Sequence, residues 1–268
     1  MGLKKHSIFS SKHNDFSIYG IITLVLLVLY IIWLGKFLYD SFVELDSIYS
    51  EIKSKRLDEN QRIAEIVRLK KLMQEKIDMI DLETDSSIQK FVTSSKSFNN
   101  IWYIPKNLVS ISSNSVYDSK WWRQLLRKIA NKNLQKMAAQ FKKEYNKKMV
   151  VVSAYRSYVY QQWIKNRWCP DNLCAKAGYS EHQSGLAVDL WEASTNYAWK
   201  NNKRLKWYYK WLNENAYKYG FHNTYQKWLK IDWYEIEPWH WRYLWVKLAT
   251  KLRDDNMTIA EFYKEKKE

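Results

Sequence analysis

The sequence predicts an α+β domain preceded by a membrane-spanning helix and a long helical stalk. Near the N-terminus lies an uncharged apolar run, and a stretch with a seven-residue apolar repeat follows it. Beyond that, helical patterns mix with short β-rich runs, without the regular strand–helix–strand alternation of a parallel sheet. A chain of 268 residues, 46% of them apolar, is long enough for one such domain with appendages and excludes a wholly disordered protein.

The charge balance predicts a polyanionic neighbour. Forty-four basic and twenty-eight acidic residues leave a formal charge of +16. Nucleic acid, anionic lipid and the anionic bacterial wall would all attract such a protein. Because the segments below predict an exterior location, we expect no nucleic-acid partner.

Residues 17–39 are predicted to form a single transmembrane anchor. The run from Ile18 to Leu34 carries no charge, and about twenty such residues span a bilayer core. A cleaved signal peptide is the alternative, but its apolar region would be shorter and would end at small residues. This run ends instead at Trp33 and Lys36, as membrane interfaces favour. We expect the basic tail, residues 1–16, to be cytoplasmic and everything after residue 39 to be extracytoplasmic.

Residues 40–82 are predicted to be a helical stalk, because no glycine or proline interrupts them. Its apolar seam consists of Leu45, Ile48, Ile52, Ile66, Leu69, Met73 and Ile80. A homodimeric coiled coil and a solvated single helix are both compatible with this interrupted repeat. Residues 83–100 turn to Ser, Thr, Asp and Asn and predict a linker.

Residues 101–252 are predicted to form the compact domain, and residues 253–268 a C-terminal helix. The expected elements, in order, are a helix from about Trp122 through Phe141, a β-run at Met149–Val152, a helix capped by Ser157 and extending to Trp168, a strand at Gly185–Leu190, a helix at Lys206–Tyr219 stopped by Gly220, an extended segment at Ile236–Tyr243, and a last helix capped by Thr258 with Glu261.

Two histidines and one aspartate are candidate metal ligands. His182 and Asp189 lie seven residues apart in SEHQSGLAVDL, and His240 lies in EIEPWHWRYL. A catalytic zinc needs three nitrogen or oxygen ligands and one open position for water. A turn at Gly185 would bring His182 and Asp189 together, and Glu237 lies near enough to His240 to reach the attacking water.

Three segments resemble the VanY-type zinc D-alanyl-D-alanine carboxypeptidases, a family that includes LD-carboxypeptidases. They are SAYRSYVYQQ at Ser153–Gln162, SEHQSGLAVDL at Ser180–Leu190 and EIEPWHWRYL at Glu235–Leu244, and the resemblance covers residues 101–250. It implies the small α+β fold that D-Ala-D-Ala peptidases share with hedgehog-type proteins. Ala154 departs from the glycine that is usual before the Tyr-Arg pair, a conservative change that should leave the site intact.

The resemblance also implies roles for individual residues. His182, Asp189 and His240 match the ligands of one zinc ion, and Glu237 matches the catalytic base. Arg156 matches the arginine that binds substrate and steadies the oxyanion, and Tyr155, Gln161 and Ser180 match positions on the substrate side.

These roles imply hydrolysis by metal-activated water, which removes the terminal D-amino acid from peptidoglycan stem peptides. Cleavage of an L,D bond or of an internal bond in the same peptides is the nearest alternative. A noncatalytic, membrane-anchored coiled-coil scaffold that binds wall peptide is an alternative of another class.

Two further features leave alternatives open. Cys169 and Cys174 would form a disulfide in an oxidising exterior, or stay as two thiols. The chain has fifteen tryptophans and only six glycines, which suggests either an aromatic binding surface or glycine codons misread as tryptophan. At the positions of Trp233 and Trp245, members of the VanY-type family usually carry glycine.

Overall fold

The computed structural model describes residues 15–54, 59–120, 122–167, 169–191, 200–227 and 231–268. The chain divides into a unit that ends at Lys71 and a compact unit from Leu72 to Glu268. Most of the predicted cytoplasmic tail and Trp168, the predicted end of a helix, lie outside the described residues.

The first unit contains helix α1, Asp15–Ser54, and most of α2, Glu59–Asp78. Within α1, the span Ile21–Ser47 contains an 18-residue window with a mean hydropathy of 2.5, so its length and composition suit a membrane anchor or a signal sequence. The helix continues past residue 39, so the predicted anchor and the start of the stalk form one helix. Ile66 of the apolar seam is 49% exposed, and the coiled coil and the homodimer stay predictions.

The second unit is built on a five-stranded sheet with the order β2-β4-β5-β7-β6. All its pairs are antiparallel except the parallel pair of β2 and β4, and a separate antiparallel pair joins β1 to β3. The strands are β1 Leu108–Ser110, β2 Val116–Asp118, β3 Leu125–Arg127, β4 Met149–Ser153, β5 Ala187–Leu190, β6 Phe221–Asn223 and β7 His240–Tyr243.

Among the described residues, five α-helices belong to this unit alone, and they confirm the mixed helix-and-sheet class. They are α3 Lys128–Tyr145, α4 Tyr158–Lys165, α5 Lys203–Asn215, α6 Val246–Asp254 and α7 Ile259–Glu265. The apolar face of α3, including Leu134 and Phe141, packs in one core with Val151 and Val188 of the sheet.

The predicted helix ends agree with the structure at three places. The Ser157 side chain accepts a hydrogen bond from the Tyr160 amide, and Thr258 and Glu261 form a reciprocal capping box. Gly220 has a φ of 81°, the left-handed conformation that terminates the short 3₁₀ helix after α5.

Two expectations need correction. The helical spacing that begins at Trp122 is misleading, because Leu125–Arg127 forms β3 and α3 begins only at Lys128. Residues 83–100 do not act as a spacer, because Phe91, Val92 and Phe98 are at most 5% exposed and lie within the compact unit. A few apolar side chains are enough to bury a segment whose overall composition is polar.

Among the described residues, three tryptophans adopt a backbone conformation that favours glycine. The φ angles are 50° at Trp191, 68° at Trp233 and 78° at Trp245. Such angles are outliers for a bulky side chain, because Cβ crowds the backbone there. Trp233 and Trp245 are the two positions at which the sequence suggests glycine.

Candidate metal centre and active site

The strand register brings the predicted metal ligands together. Strands β5 and β7 pair antiparallel with Asp189 directly opposite His240. A 3₁₀ turn at Glu181–Ser184 ends at Gly185, whose φ of 66° lets the chain turn back into β5. His182 on that turn therefore faces Asp189, with 3.2 Å between its Nε2 and the Asp189 Oδ2.

The three side chains fit a metal ion. One ligand atom from each of His182, Asp189 and His240 lies within 4.8 Å of the others, and all three residues are buried. The His240 Nδ1 lies 3.1 Å from the Asp189 Oδ1. Zinc ligands at about 2.0–2.2 Å in tetrahedral geometry are about 3.3 Å apart, so these separations are suitable. The buried His182 Nε2 faces the Asp189 carboxylate but makes no hydrogen bond among the described residues, as expected for an atom reserved for an ion.

Each histidine is oriented by its other ring nitrogen. The His182 Nδ1 lies 2.7 Å from the Ala154 carbonyl oxygen, to which it donates. The His240 Nε2 lies 2.8 Å from the Glu181 Oε2. These contacts favour the tautomers whose lone pairs are at the His182 Nε2 and the His240 Nδ1, the two atoms that face Asp189.

Glu181 is a residue of the candidate site that the sequence reasoning missed. It is 2% exposed, accepts a hydrogen bond from the Thr224 hydroxyl at 2.8 Å and lies 3.6 Å from the Arg242 guanidinium. Burial by itself raises the pKa of the carboxyl, but the hydrogen bond from His240 and the charge of Arg242 hold its pKa below the ordinary value. Its position beside His182 in the motif was the only signal in the sequence.

The two imidazoles have opposite pKa shifts. Burial, and then the nearby charge of Arg156, lower the pKa of His182 to about 4. Burial also lowers the pKa of His240, but its hydrogen bonds to Asp189 and Glu181 raise it to about 10. His182 is therefore ready to bind a cation at neutral pH, whereas His240 carries a proton that a cation must displace.

Arg156 contacts the metal cluster and is held by its neighbours. Its Nη2 lies 3.3 Å from the Asp189 Oδ2, its Nε donates to the Ser153 hydroxyl at 3.1 Å and its Nη1 donates to the Gln161 Oε1 at 3.0 Å. These contacts use three of the five guanidinium N–H groups, so two are available to a substrate oxygen as far as the described residues show.

The cluster opens into a cavity of about 660 Å³. Ser180, Arg156 and Glu237 line this cavity, as predicted, whereas Tyr155 and Gln161 are absent from its described lining. Gln161 is fully buried and accepts a hydrogen bond from Arg156, so it supports the arginine rather than facing the cavity.

The backbone of Glu237 is fixed at the cavity wall. Its amide donates to the Tyr225 carbonyl at 2.9 Å, and its carbonyl accepts from the Asn223 side chain at 2.8 Å and from the His240 amide at 3.1 Å. The tight turn between Glu237 and His240 therefore brings the glutamate and a metal ligand to the same cavity. Tyr225 also packs on the His240 ring, with 4.7 Å between the ring centroids, a contact that no sequence pattern indicated.

The two cysteines form a disulfide, with 5.7 Å between the Cα atoms of Cys169 and Cys174. Both residues line the same cavity. The predicted disulfide is therefore present, at the edge of the candidate site.

A small α+β domain with a buried His-Asp-His cluster and a glutamate in one cavity contains the groups that a metal-dependent hydrolase would require. The family described as VanY, D-alanyl-D-alanine carboxypeptidase, matches residues 123–246. The chain is 32% identical to a solved LdcB LD-carboxypeptidase, with a TM-score of 0.57, over 67% of this chain and 87% of that one. The chain belongs to the VanY D-alanyl-D-alanine carboxypeptidase family.

Further relatives agree with this assignment. The chain is 34% identical over 173 residues to the putative carboxypeptidase YodJ of Bacillus subtilis, over 62% of this chain and 63% of that protein. It is 37% identical over 89 residues to a D-alanyl-D-alanine carboxypeptidase of Enterococcus faecalis, over 33% of this chain and 31% of that protein. The chain thus spans less than two thirds of either curated relative. A structure of VanYB in complex with D-alanine-D-alanine shares the fold, with a TM-score of 0.50 and 24% identity over 65% of this chain and 96% of that one.

Proposed function

We propose that this protein is a zinc-dependent D-alanyl-D-alanine carboxypeptidase that removes the terminal D-amino acid from peptidoglycan stem peptides. The observation that carries the proposal is the convergence of His182, Asp189 and His240 in the same cavity as Glu237 and Arg156. The three converging residues would hold one zinc ion. When bound, zinc supplies Lewis acidity, which polarises a carbonyl group and lowers the pKa of water.

Glu237 is the proposed general base. It accepts a proton from the attacking water and delivers it to the amine of the departing D-amino acid, so no net proton remains on the enzyme. Its fixed backbone supports this role, because a proton acceptor must lie within hydrogen-bond reach of the reacting water.

Arg156 is the proposed substrate-recognition residue. A planar guanidinium with two available N–H groups suits the free terminal carboxylate or the developing oxyanion. Ser180, which is buried but lines the cavity, would add a hydroxyl hydrogen bond. We assign Gln161 to the support of Arg156, and the substrate contact of Tyr155 remains a prediction from the resemblance alone.

The remaining features fit a location at the cell surface. An apolar N-terminal helix would tether the enzyme by a single span, with the peptidase unit on the extracytoplasmic side. The formal charge of +16 would attract it to the anionic wall.

The second candidate is LD-carboxypeptidase activity on tetrapeptide stems. The similarity to the LdcB LD-carboxypeptidase favours it, because this chain covers 87% of that structure. The choice between the two activities is one of cavity shape and leaves the roles of Glu237 and Arg156 unchanged.

The test is hydrolysis by the full-length chain in detergent. Synthetic pentapeptide and tetrapeptide stems are incubated with zinc and then with a chelator, and released D-alanine is measured. We expect zinc-dependent release from the pentapeptide, which falls at least a hundredfold in Glu237→Gln with zinc still bound. Glu214→Gln makes the same chemical change at an exposed residue of α5 and should retain full activity.

Release from the tetrapeptide alone would select the second candidate. Release from neither peptide, or wild-type turnover in Glu237→Gln, would refute the hydrolase proposal.

A further inference from the structure

The short turn closed by the disulfide contacts the active site in two directions. Cys169 and Cys174 line the cavity that holds the metal cluster. The turn between them has little internal structure. The backbone amides of Leu173 and Cys174 donate hydrogen bonds to the Pro170 carbonyl, at 3.1 and 2.9 Å. Such a short irregular loop is mobile unless something constrains it, and the disulfide supplies that constraint.

In one direction the turn holds the segment that carries Glu237. The Glu235 amide donates to the Asn172 carbonyl at 2.9 Å, and the Asn172 side-chain amide donates to the Glu235 Oε1 at 3.0 Å. These reciprocal hydrogen bonds, the Asn172–Glu235 clasp, join residues 63 positions apart. Glu235 lies two residues before Glu237, so the clasp fixes the approach to the proposed base.

In the other direction the turn holds Arg156. The carbonyl of Ala175, the residue after the disulfide, accepts a hydrogen bond from the Gln161 Nε2 at 2.7 Å. The other end of the same amide accepts from the Arg156 Nη1 at 3.0 Å. Gln161 is fully buried, so a shift of Ala175 would be passed to the guanidinium with little room for compensation.

We propose that the disulfide-closed turn is a positioning element that holds Glu237 and Arg156 at their working separation. The inference rests on the proposed function and assigns Asn172 as a positioning residue that acts through Glu235. Displacing a reacting group by about 1 Å can cost up to about a hundredfold in rate, so two hydrogen bonds at this point are sufficient to matter.

The test compares Asn172→Ala with a matched control in the same turn. Asp171 pairs with Lys165 at 2.6 Å and its side chain is 81% exposed, so Asp171→Asn removes only an exposed ion pair of the turn and leaves the clasp and the disulfide in place. We expect Asn172→Ala to lower kcat about tenfold with KM changed less than twofold, and Asp171→Asn to match the wild type. Glu235→Ala should lower kcat similarly, and the double variant should lose no more than either single variant.

A second readout does not depend on activity. Hydrogen exchange followed by mass spectrometry should show faster exchange over residues 234–237 in Asn172→Ala and in the double variant Cys169→Ser, Cys174→Ser. This loss of protection distinguishes the clasp from the hydrolase proposal, because it is measured even if no stem peptide is cleaved.

Three results would each overturn the inference: a wild-type kcat in Asn172→Ala, additive losses when Asn172→Ala and Glu235→Ala are combined, or unchanged exchange over residues 234–237. If Asn172→Ala does not fold, the exchange and kinetic measurements on Glu235→Ala decide the question in the same way.

Discussion

The His240 Nε2 and the Glu181 Oε2 lie 2.8 Å apart, and both residues are at most 2% exposed. A buried carboxylate is stable only when it is paired and hydrogen-bonded, and Glu181 satisfies this through His240, Thr224 and Arg242. The pair thereby fixes the ring of a candidate metal ligand from the side opposite to the metal. The buried charge of Glu181 thus orients the imidazole ring of His240.

The first prediction concerns this pair. Glu181→Ala should weaken zinc binding by about ten- to a hundredfold, because an outer partner holds the ligand ring and raises its basicity. Competition with a chromophoric chelator measures the affinity, and Glu261→Gln, a change at a carboxylate whose partners are Lys227 and Thr258, is the control. A wild-type zinc affinity in Glu181→Ala, with a folded domain, would show that the pair is only structural.

The second prediction concerns protons. The pKa of His240 is raised to about 10, so at pH 7.5 the metal-free imidazole is protonated, and zinc must displace one proton from it. His182, with its pKa lowered to about 4, is already neutral and releases none. Zinc affinity should therefore rise about tenfold per pH unit between pH 7 and 9.

Calorimetric titration in two buffers of different protonation enthalpy measures the protons released. We expect about one proton per zinc at pH 7.5. A value near zero would mean that His240 is already neutral in the metal-free protein.

The third prediction concerns Arg156. Arg156→Lys keeps the positive charge but cannot maintain the hydrogen bonds to Ser153, Gln161 and Asp189 while also presenting two N–H groups to a carboxylate. Because hydrogen bonds to charged groups contribute about 1.5–3 kcal/mol, we expect kcat/KM to fall at least about tenfold, mainly through KM.

Steady-state kinetics on the preferred stem peptide measure this change. Arg167→Lys is the control, because Arg167 stacks on Trp163 and does not belong to the described cavity lining. An unchanged KM in Arg156→Lys would remove the arginine from substrate recognition.

The fourth prediction separates two tryptophans with the same unusual backbone. Trp233 is 69% exposed, so Trp233→Gly should relieve the left-handed strain and stabilise the domain by about 1 kcal/mol, raising Tm by about 2–4 °C. Trp191 is 7% exposed and stacks on Tyr208 with 4.3 Å between centroids, so Trp191→Gly should destabilise by about 3 kcal/mol or more through lost packing.

Thermal unfolding of both variants checks this contrast. A lower Tm in Trp233→Gly would show that the tryptophan side chain stabilises the domain despite its left-handed backbone. The gene provides a second check, because a UGA codon at residues 233 and 245 would mark them as glycines, and UGG would end that interpretation.

Local patterns explain why parts of the site were predictable. The ligand residues stand in short motifs whose spacing already implies a turn at Gly185, and the structure has that turn. The role of Glu181 was not predictable, because its partner His240 lies 59 residues away and only the β5–β7 register brings the two together. Likewise, Leu125 and Leu126 satisfy a helical spacing, but pairing with β1 makes them a strand.

The sequence by itself determined the apolar N-terminal run, the basic charge, the chemical groups available for catalysis and three of the helix ends, because these depend on residues close together along the chain. Only the tertiary structure decided that Asp189 faces His240, that the disulfide turn contacts Glu235, and that residues 83–100 belong to the compact unit. Such contacts depend on how the whole core packs, and no local pattern contains that information.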